Sequence, residues 1–371
     1  MNPGQKIVAA QAAAVALVFG WICLCISPAS AGERLAYSIA QEEEVLRARR
    51  FTRTEIYAIE PGKTESHLLF TDAEADFILL PIRPSGERDQ VMVVSGQRIF
   101  ARGVEKNRYS GGWYELPAAI YELSTDGLNR YRKIFELRGE QRLSRLFVNP
   151  SGEKIGYLNQ IGSVPYLFIH ETADGKLIHQ ANLGRTFLDC FARNIGWTAD
   201  GSKLFFTLET GDEHVTSRQS YKRVGSYFMN EDGSDVKRIP TAVLSPAQKR
   251  GFRSDPDLPP VIVGTTLSGR YLMRAYQWRM PAERTASTLL YAVDPGKKSR
   301  RDYPVSATQG LYWFRVADSG RFIAYTEQAS SAAPEQVWVL DLDSGKQTRL
   351  FTVSTGMLKP PYLGLIGWIS E

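Results

Sequence analysis

Few residues of this 371-residue chain have the types and spacing that chemistry demands. The four histidines, His67, His170, His179 and His214, fall in different parts of the sequence and form neither an HExxH nor a CxxC ligand spacing. No metal and no cofactor is therefore expected. Asp212-Glu213-His214 and Asp255-Pro256-Asp257 could offer oxygen or imidazole ligands, but acidic residues in polar segments are ordinarily just solvated. There is no G-x-S-x-G nucleophile elbow, and no Gly-rich loop joins a strand to a helix as phosphate binding requires. No catalytic residue is assigned. What does recur is Arg, Tyr and Trp in polar stretches. Residues 102–117 carry Lys106, Arg108, Tyr109, Trp113 and Tyr114; residues 209–223 carry His214, Arg218, Tyr221, Lys222 and Arg223; a third stretch carries Trp278, Arg279 and Arg284. Arg, Tyr and Trp combine contact area with a polar handle and are enriched at interface hot spots. Any single one can instead fold back onto the structure beneath it, so the signal is the collective pattern.

These stretches are spaced by a repeated unit, clearest over residues 195–239. It reads as an apolar strand, an Asp-Gly turn, a strand, a long polar excursion, a strand, a second Asp-Gly turn and a last strand. Asp-Gly between alternating apolar segments is a strong hairpin signal, because the turn needs a positive φ that Gly adopts without steric cost. Two hairpins joined by a loop make one four-stranded antiparallel blade of a β-propeller. First turns are expected at Gly32, Gly86, Gly152, Gly201, Gly269 and Gly320, and second turns at Gly62, Gly127, Gly175, Gly233, Gly296 and Gly345. Six pairs of turns predict an all-β, six-bladed propeller. The chain enters its first blade one strand late, and Leu365-Ile366-Gly367-Trp368-Ile369 copies the innermost-strand pattern Ile195-Gly196-Trp197-Thr198. The C-terminal strand is thus expected to complete the first blade and close the ring, removing a pair of open edges. The spacing from first to second turn is widest in the second unit, Gly86 to Gly127. The extra residues are expected in the loop between second and third strands, which emerges on the face opposite both tight turns. Innermost strands read as apolar apart from Arg193 and Arg315, which either line a channel that admits anions or pair with neighbouring blades.

NPSGEKIGYL (149–158), TADGSKLFF (198–206) and DSGRFIAYTE (318–327), each followed by a YLFIHETADGK-like strand and turn, resemble the propeller of the TolB C-terminal domain and the non-catalytic propellers of prolyl oligopeptidases. The resemblance spans nearly all of the chain after its first segment and implies fold more than function. TolB carries an α/β domain before its propeller; here the repeats begin at Gly32, so that domain is not expected. Nor is a hydrolase domain, because the repeats run to the last residues.

Lys6, the apolar run from Ala12 to Ile26 and the small residues Ala29-Ser30-Ala31 read as a signal peptide over residues 1–31, with a single propeller domain over 32–371. An uncleaved anchor is the alternative, since the apolar stretch counted from Ile7 approaches a spanning length. Membrane contact is expected only through that segment. Cleavage leaves Cys190 alone, so no intrachain disulfide is expected. A hydrophobic content of 43% with 23% charged residues is that of a globular protein, and a net charge of +5 without Lys/Arg runs interleaved with aromatics argues against nucleic acid. The function these features favour is a monomeric periplasmic or secreted scaffold binding another envelope or secreted protein, or a polysaccharide, through its long-loop face. The alternatives are a channel-mouth lyase or hydrolase acting on an acidic polysaccharide, and small-ligand sensing in the channel. The export reading has a direct check: the intact mass of protein purified from the periplasm or medium should lack residues 1–31, and a full-length mass in the membrane fraction would identify an anchor instead.

Overall fold

In the third blade the turn Asn149–Gly152 shows how these sequences make hairpins. The Gly152 amide donates to the Asn149 carbonyl at 2.9 Å, the Asn149 side chain accepts from the Lys154 amide at 2.8 Å, and Gly152 has φ 70°. An L side chain at that φ would be strained. The same device recurs through the chain and yields six antiparallel sheets. The computed structural model describes residues 32–45, 48–80, 91–108, 118–137, 142–161, 164–187, 190–210, 224–239, 252–254, 260–279, 286–295, 297, 299–303, 305, 311–328, 333–353 and 361–370, some of the strand residues by backbone alone.

The sheets are the blades of a six-bladed propeller. Blade 1 runs, from the axis outward, through Tyr362–Ile369, Arg34–Val45, Ala48–Ile59 and Ser66–Thr71. The C-terminal strand is therefore its innermost strand, as expected, and pairs from Arg34↔Ile369 to Ala40↔Tyr362. Blade 3 is a simple meander of Arg142–Val148, Lys154–Ile161, Val164–Glu171 and Leu177–Asn182, and blades 4 and 6 follow the same order.

Blades 2 and 5 depart from it. In blade 2 the second strand, Arg98–Glu105, is flanked on its inner side by two short strands, Phe77–Leu79 and Met92–Ser95, and the turn into it is at Gly96, with φ 56°. The expected turn at Gly86 is thus corrected: Gly86 lies in the connection within the interrupted inner strand and outside the described residues. The physical reason is burial. Gly86 is followed by the polar Glu87-Arg88-Asp89-Gln90, whereas Gly96 leads into Ile99, Phe100 and Ala101, all 0% exposed. Not all of the second unit's extra chain therefore lies in its long loop. Blade 5 is interrupted likewise: Phe252–Ser254 and Val261–Thr265 both pair with Tyr271–Arg279. Its second turn, Gly296, falls outside the described residues, but pairing of Asp294 with Ser299 brackets it.

The core lies between blades, where their faces stack. Leu35, Ile59, Ile99, Ile120, Leu146 and Leu365 belong to one continuous cluster spanning several blades. Close approach demands small residues at particular points: a methyl group at Gly156 would meet the Phe147 ring at 2.5 Å. Polar groups tie blades as well. The buried Asp72 carboxylate accepts from the Thr54 amide at 2.7 Å and the Leu79 amide at 2.9 Å, joining blade 1 to blade 2, and burial pushes it up to about 6 against the lowering effect of those bonds. Because Leu365 is fully buried at the closing strand, L365A should lower the unfolding free energy by about 2–5 kcal/mol in urea. L128A, at an exposed turn residue, should change it by less than about 0.5 kcal/mol.

Candidate functional site

Second-to-third strand loops and blade connections leave the meander at one end, tight turns at the other. At the long-loop end, Arg108 closes a single 3-10 turn, Lys106–Arg108, directly after strand Arg98–Glu105. Trp113 and Tyr114, and in blade 4 Arg218, Tyr221, Lys222 and Arg223, lie outside the described residues; their flanking strands stop at Thr210 and resume at Gly225. Trp278 and Arg279 are corrected from loop to strand. They end Tyr271–Arg279, with Trp278 opposite Ala286 and Arg279 opposite Phe252, because the outlying inner piece Phe252–Ser254 supplies an additional strand partner there.

The most prominent described feature of this end escaped the sequence reading. In blade 1 the second and third strands continue past their neighbours as a two-stranded ribbon from Gln41↔Arg53 to Val45↔Ala48. Pairing with the inner strand stops at Ala40, and pairing with the outer strand stops at Glu55↔Thr71. A bulge between Gln41 and Glu42 sets the ribbon off from the sheet, and Glu43 stands opposite Arg50 and Glu44 opposite Arg49. The signal was present as the Glu42–Glu44 run followed by Arg47, Arg49 and Arg50, but Leu46-Arg47 at the tip is no turn signature and hid the hairpin.

At the axis, the inner strands enclose a cavity of about 180 Å³ toward the tight-turn end. Every blade contributes: Val94, Val148, Gly196, Val263, Val316 and Gly367 are representative. Asp318 and Arg315 are the ionisable side chains among its described lining. Arg315 lines this cavity and also joins blades. Its Nε donates to the Leu365 and Ile366 carbonyls of blade 1, each at 3.0 Å, and its own carbonyl accepts from Trp368 Nε1 at 2.8 Å. Arg193 occupies the bulge between Ala192 and Asn194 and is described by backbone alone. Its neighbour Asn194, unremarked in the sequence, accepts from Arg145 of blade 3 at 3.1 Å and donates to the Ile262 carbonyl of blade 5. Ser95 Oγ of blade 2 reaches the Asn149 and Pro150 carbonyls of blade 3 at 3.0 and 2.9 Å. The polar groups of the channel thus stitch adjacent inner strands.

Asp318 sits at the channel mouth. Its surface is open, but crowding by protein, with the Glu33 carboxylate second, pushes it up to about 6, and the Gly96 amide donating to it opposes this. His170 is stacked on Phe135 at 4.1 Å with Nδ1 beside the Gly175 carbonyl, and burial pushes it down, toward the neutral form. Among the described residues no three His, Cys, Asp or Glu side chains group as metal ligands, and no helix is long and apolar enough to cross a membrane.

No family model matches the chain, and no curated protein matches it by sequence. Solved structures do. TolB from Acinetobacter baumannii aligns over 90% of this chain and 66% of its own length, just under two thirds, with TM-score 0.51 and 11% identity. The periplasmic gluconolactonase of Pseudomonas aeruginosa aligns over 90% and 99%, with TM-score 0.45 and 14% identity, and the oligogalacturonate lyase of Vibrio parahaemolyticus over 85% and 79%, with TM-score 0.42 and 12% identity. The fold is that of a TolB-like six-bladed propeller. If Arg315 acts as the staple its geometry describes, R315A should lower stability by about 1–3 kcal/mol in urea, by leaving two carbonyls unpaired. An unchanged midpoint would return it to a purely channel-lining role.

Proposed function

We propose that the protein is an exported, non-catalytic scaffold that binds another envelope or secreted protein through its long-loop face. The observation that carries this reading is the blade 1 ribbon, whose backbone from Gln41 to Val45 and from Ala48 to Arg53 pairs only within itself among the described residues. Open strand edges are templates for an added strand, and an isolated two-stranded ribbon is marginal in water, so a partner strand stabilises both sides of the contact. Arg108 lies at the same end of the blades, where the strands flanking the stretches that hold Trp113, Tyr114, Arg218, Tyr221, Lys222 and Arg223 stop and resume. In the channel, Arg315 is engaged by backbone carbonyls and Asp318 by the Gly96 amide, which favours a stitched wall over a convergent acid–base pair. Export rests on the Lys6 to Ala31 pattern.

The test is to replace residues 42–51 by a two-residue Asn-Gly turn, and separately to make W113A/R223A. Both should keep the parent's circular dichroism. Pull-down from envelope extract should then lose the partners the parent recovers, with single hot spots costing about 2 kcal/mol or more of binding. Full recovery by both variants, with loss on altering the Asp174-Gly175 or Asp232-Gly233 turns, would move the interface to the opposite face.

A further inference from the structure

The seam between blade 6 and blade 1, which the C-terminal strand closes, has a buried acid at each end. At the long-loop end Glu335 begins the third strand of blade 6, opposite Val353 of the outer strand, and is 2% exposed. The next residues on that face, Val337 and Phe351, look onto blade 1, where the Phe351 ring lies 4.6 Å from that of Tyr37. The Thr326 hydroxyl donates to Glu335, and among the described residues Glu335 Oε1 has no hydrogen-bond partner.

Among the described residues no cation offsets this carboxylate from the elements around it. On the second strand of blade 6, Glu327 alternates away from Thr326 to the face shared by Ile323 and Tyr325, which pack toward blade 5. On the outer strand Arg349 stands opposite Trp338, on that other face too. From blade 1, the inner strand turns Leu363 and Leu365 to the seam, paired with Ile39 and Tyr37. The third strand turns Glu55 and Arg53, which are ion-paired to each other, and Tyr57, which donates to Glu55. Burial pushes Glu335 up to about 7.

At the tight-turn end, Glu33 of blade 1 is 7% exposed and accepts from the Ser319 amide at 3.2 Å and the Ser319 hydroxyl at 3.0 Å. Asp318, next to Ser319, accepts from the Gly96 amide of blade 2 and is pushed up by crowding and by Glu33. The channel cation Arg315 is turned to the blade 1 carbonyls.

We propose that this seam is a pH-responsive clasp, firmest when Glu335 and Asp318 are protonated in mildly acidic surroundings and looser as the pH rises and both ionise, the buried Glu335 with no cation beside it among the described residues. A carboxyl whose folded pKa exceeds its unfolded one holds a proton that the unfolded chain has released, so its contribution to stability is full below the unfolded value and is lost as pH rises to the folded one. For Glu335 that window runs from 4.5 to about 7, and it weights the unfolding equilibrium on the order of a hundredfold.

Urea unfolding of the full chain at pH 5 and pH 8, compared among parent, E335Q and D318N, tests this. The ratio of unfolding constants between the two pH values should shrink at least about tenfold in E335Q and by a smaller factor in D318N. Native hydrogen exchange of the parent should speed up at pH 8, beyond the intrinsic pH effect, in the closing pair Arg34–Ala40 and Tyr362–Ile369. It should not do so in the blade 3 hairpin Lys154–Ile161 with Val164–Glu171. An E335Q protein with the parent's pH dependence, or less stable than the parent at pH 8 or unfolded there, overturns the proposal. So does excess exchange spread equally over both hairpins.

Discussion

Everything in this molecule depends on one strand pairing, that of Tyr362–Ile369 with Arg34–Ala40. A ring of blades buries its faces only if each has a neighbour on both sides, and the first and last blades acquire theirs when the end of the chain pairs beside its beginning. All eight residues of the closing strand are buried, which no other strand of this length matches among the described residues. The contact order of that pairing is close to the maximum the chain allows, so closure is expected late in folding, after the blades whose contacts are local. The seam then carries two kinds of bond. Backbone ladder and apolar packing hold regardless of pH, whereas the acids at its ends do not.

The channel follows from the same constraint. Inner strands splay less than outer ones, so their side chains crowd, and the chain meets this with glycine and short branched residues: a methyl group on Gly264 would meet Val316 at 2.6 Å. Polar residues that remain there are buried beside their neighbours' backbone, where leaving carbonyls unpaired is costly. Arg315, Asn194 and Ser95 each satisfy backbone groups of an adjoining blade. Such bonds join neighbouring inner strands along much of the channel wall.

Repetition made the fold legible, because a tight turn flanked by buried alternation is a local signal written again in every blade. Closure was readable too, since Leu365–Ile369 carries the inner-strand pattern. The reading failed where a local signal lacked its flanks. Pro84-Ser85-Gly86 looks like Pro150-Ser151-Gly152, but only the latter leads into its buried strand without the intervening polar run Glu87-Arg88-Asp89-Gln90. It failed again for Trp278 and Arg279, whose strand depends on a partner at Phe252–Ser254, a pairing between segments that share no local motif. The ribbon was invisible for the opposite reason: its strands pair in register over residues 41–53 without a turn signature at the tip. Site residues in the long loops had no flanking pattern to read at all, and seam acids such as Glu335 look like any strand-end carboxylate until the neighbouring blade is in place.

Why should extra chain accumulate at one end of the blades? At the tight-turn end several turns press against the neighbouring blade. A methyl group on Gly175 would meet the Ile134 carbonyl of blade 2 at 2.5 Å, one on Gly233 would meet Ala181 of blade 3 at 2.7 Å, and one on Gly320 would meet Thr266 of blade 5 at 2.9 Å. Ser370 donates to the Gly96 carbonyl there as well, and Ala199 to Thr265 Oγ1 at 2.7 Å. Lengthening any such turn would displace its neighbour and disturb the packing of two blades, a cost felt throughout a close-packed core. The opposite end carries no such constraint at the blade 1 ribbon, which leaves the sheet after Ala40. Variation in length is therefore tolerated where a change stays within one blade, and a surface that can vary without unfolding the ring is where recognition can be built.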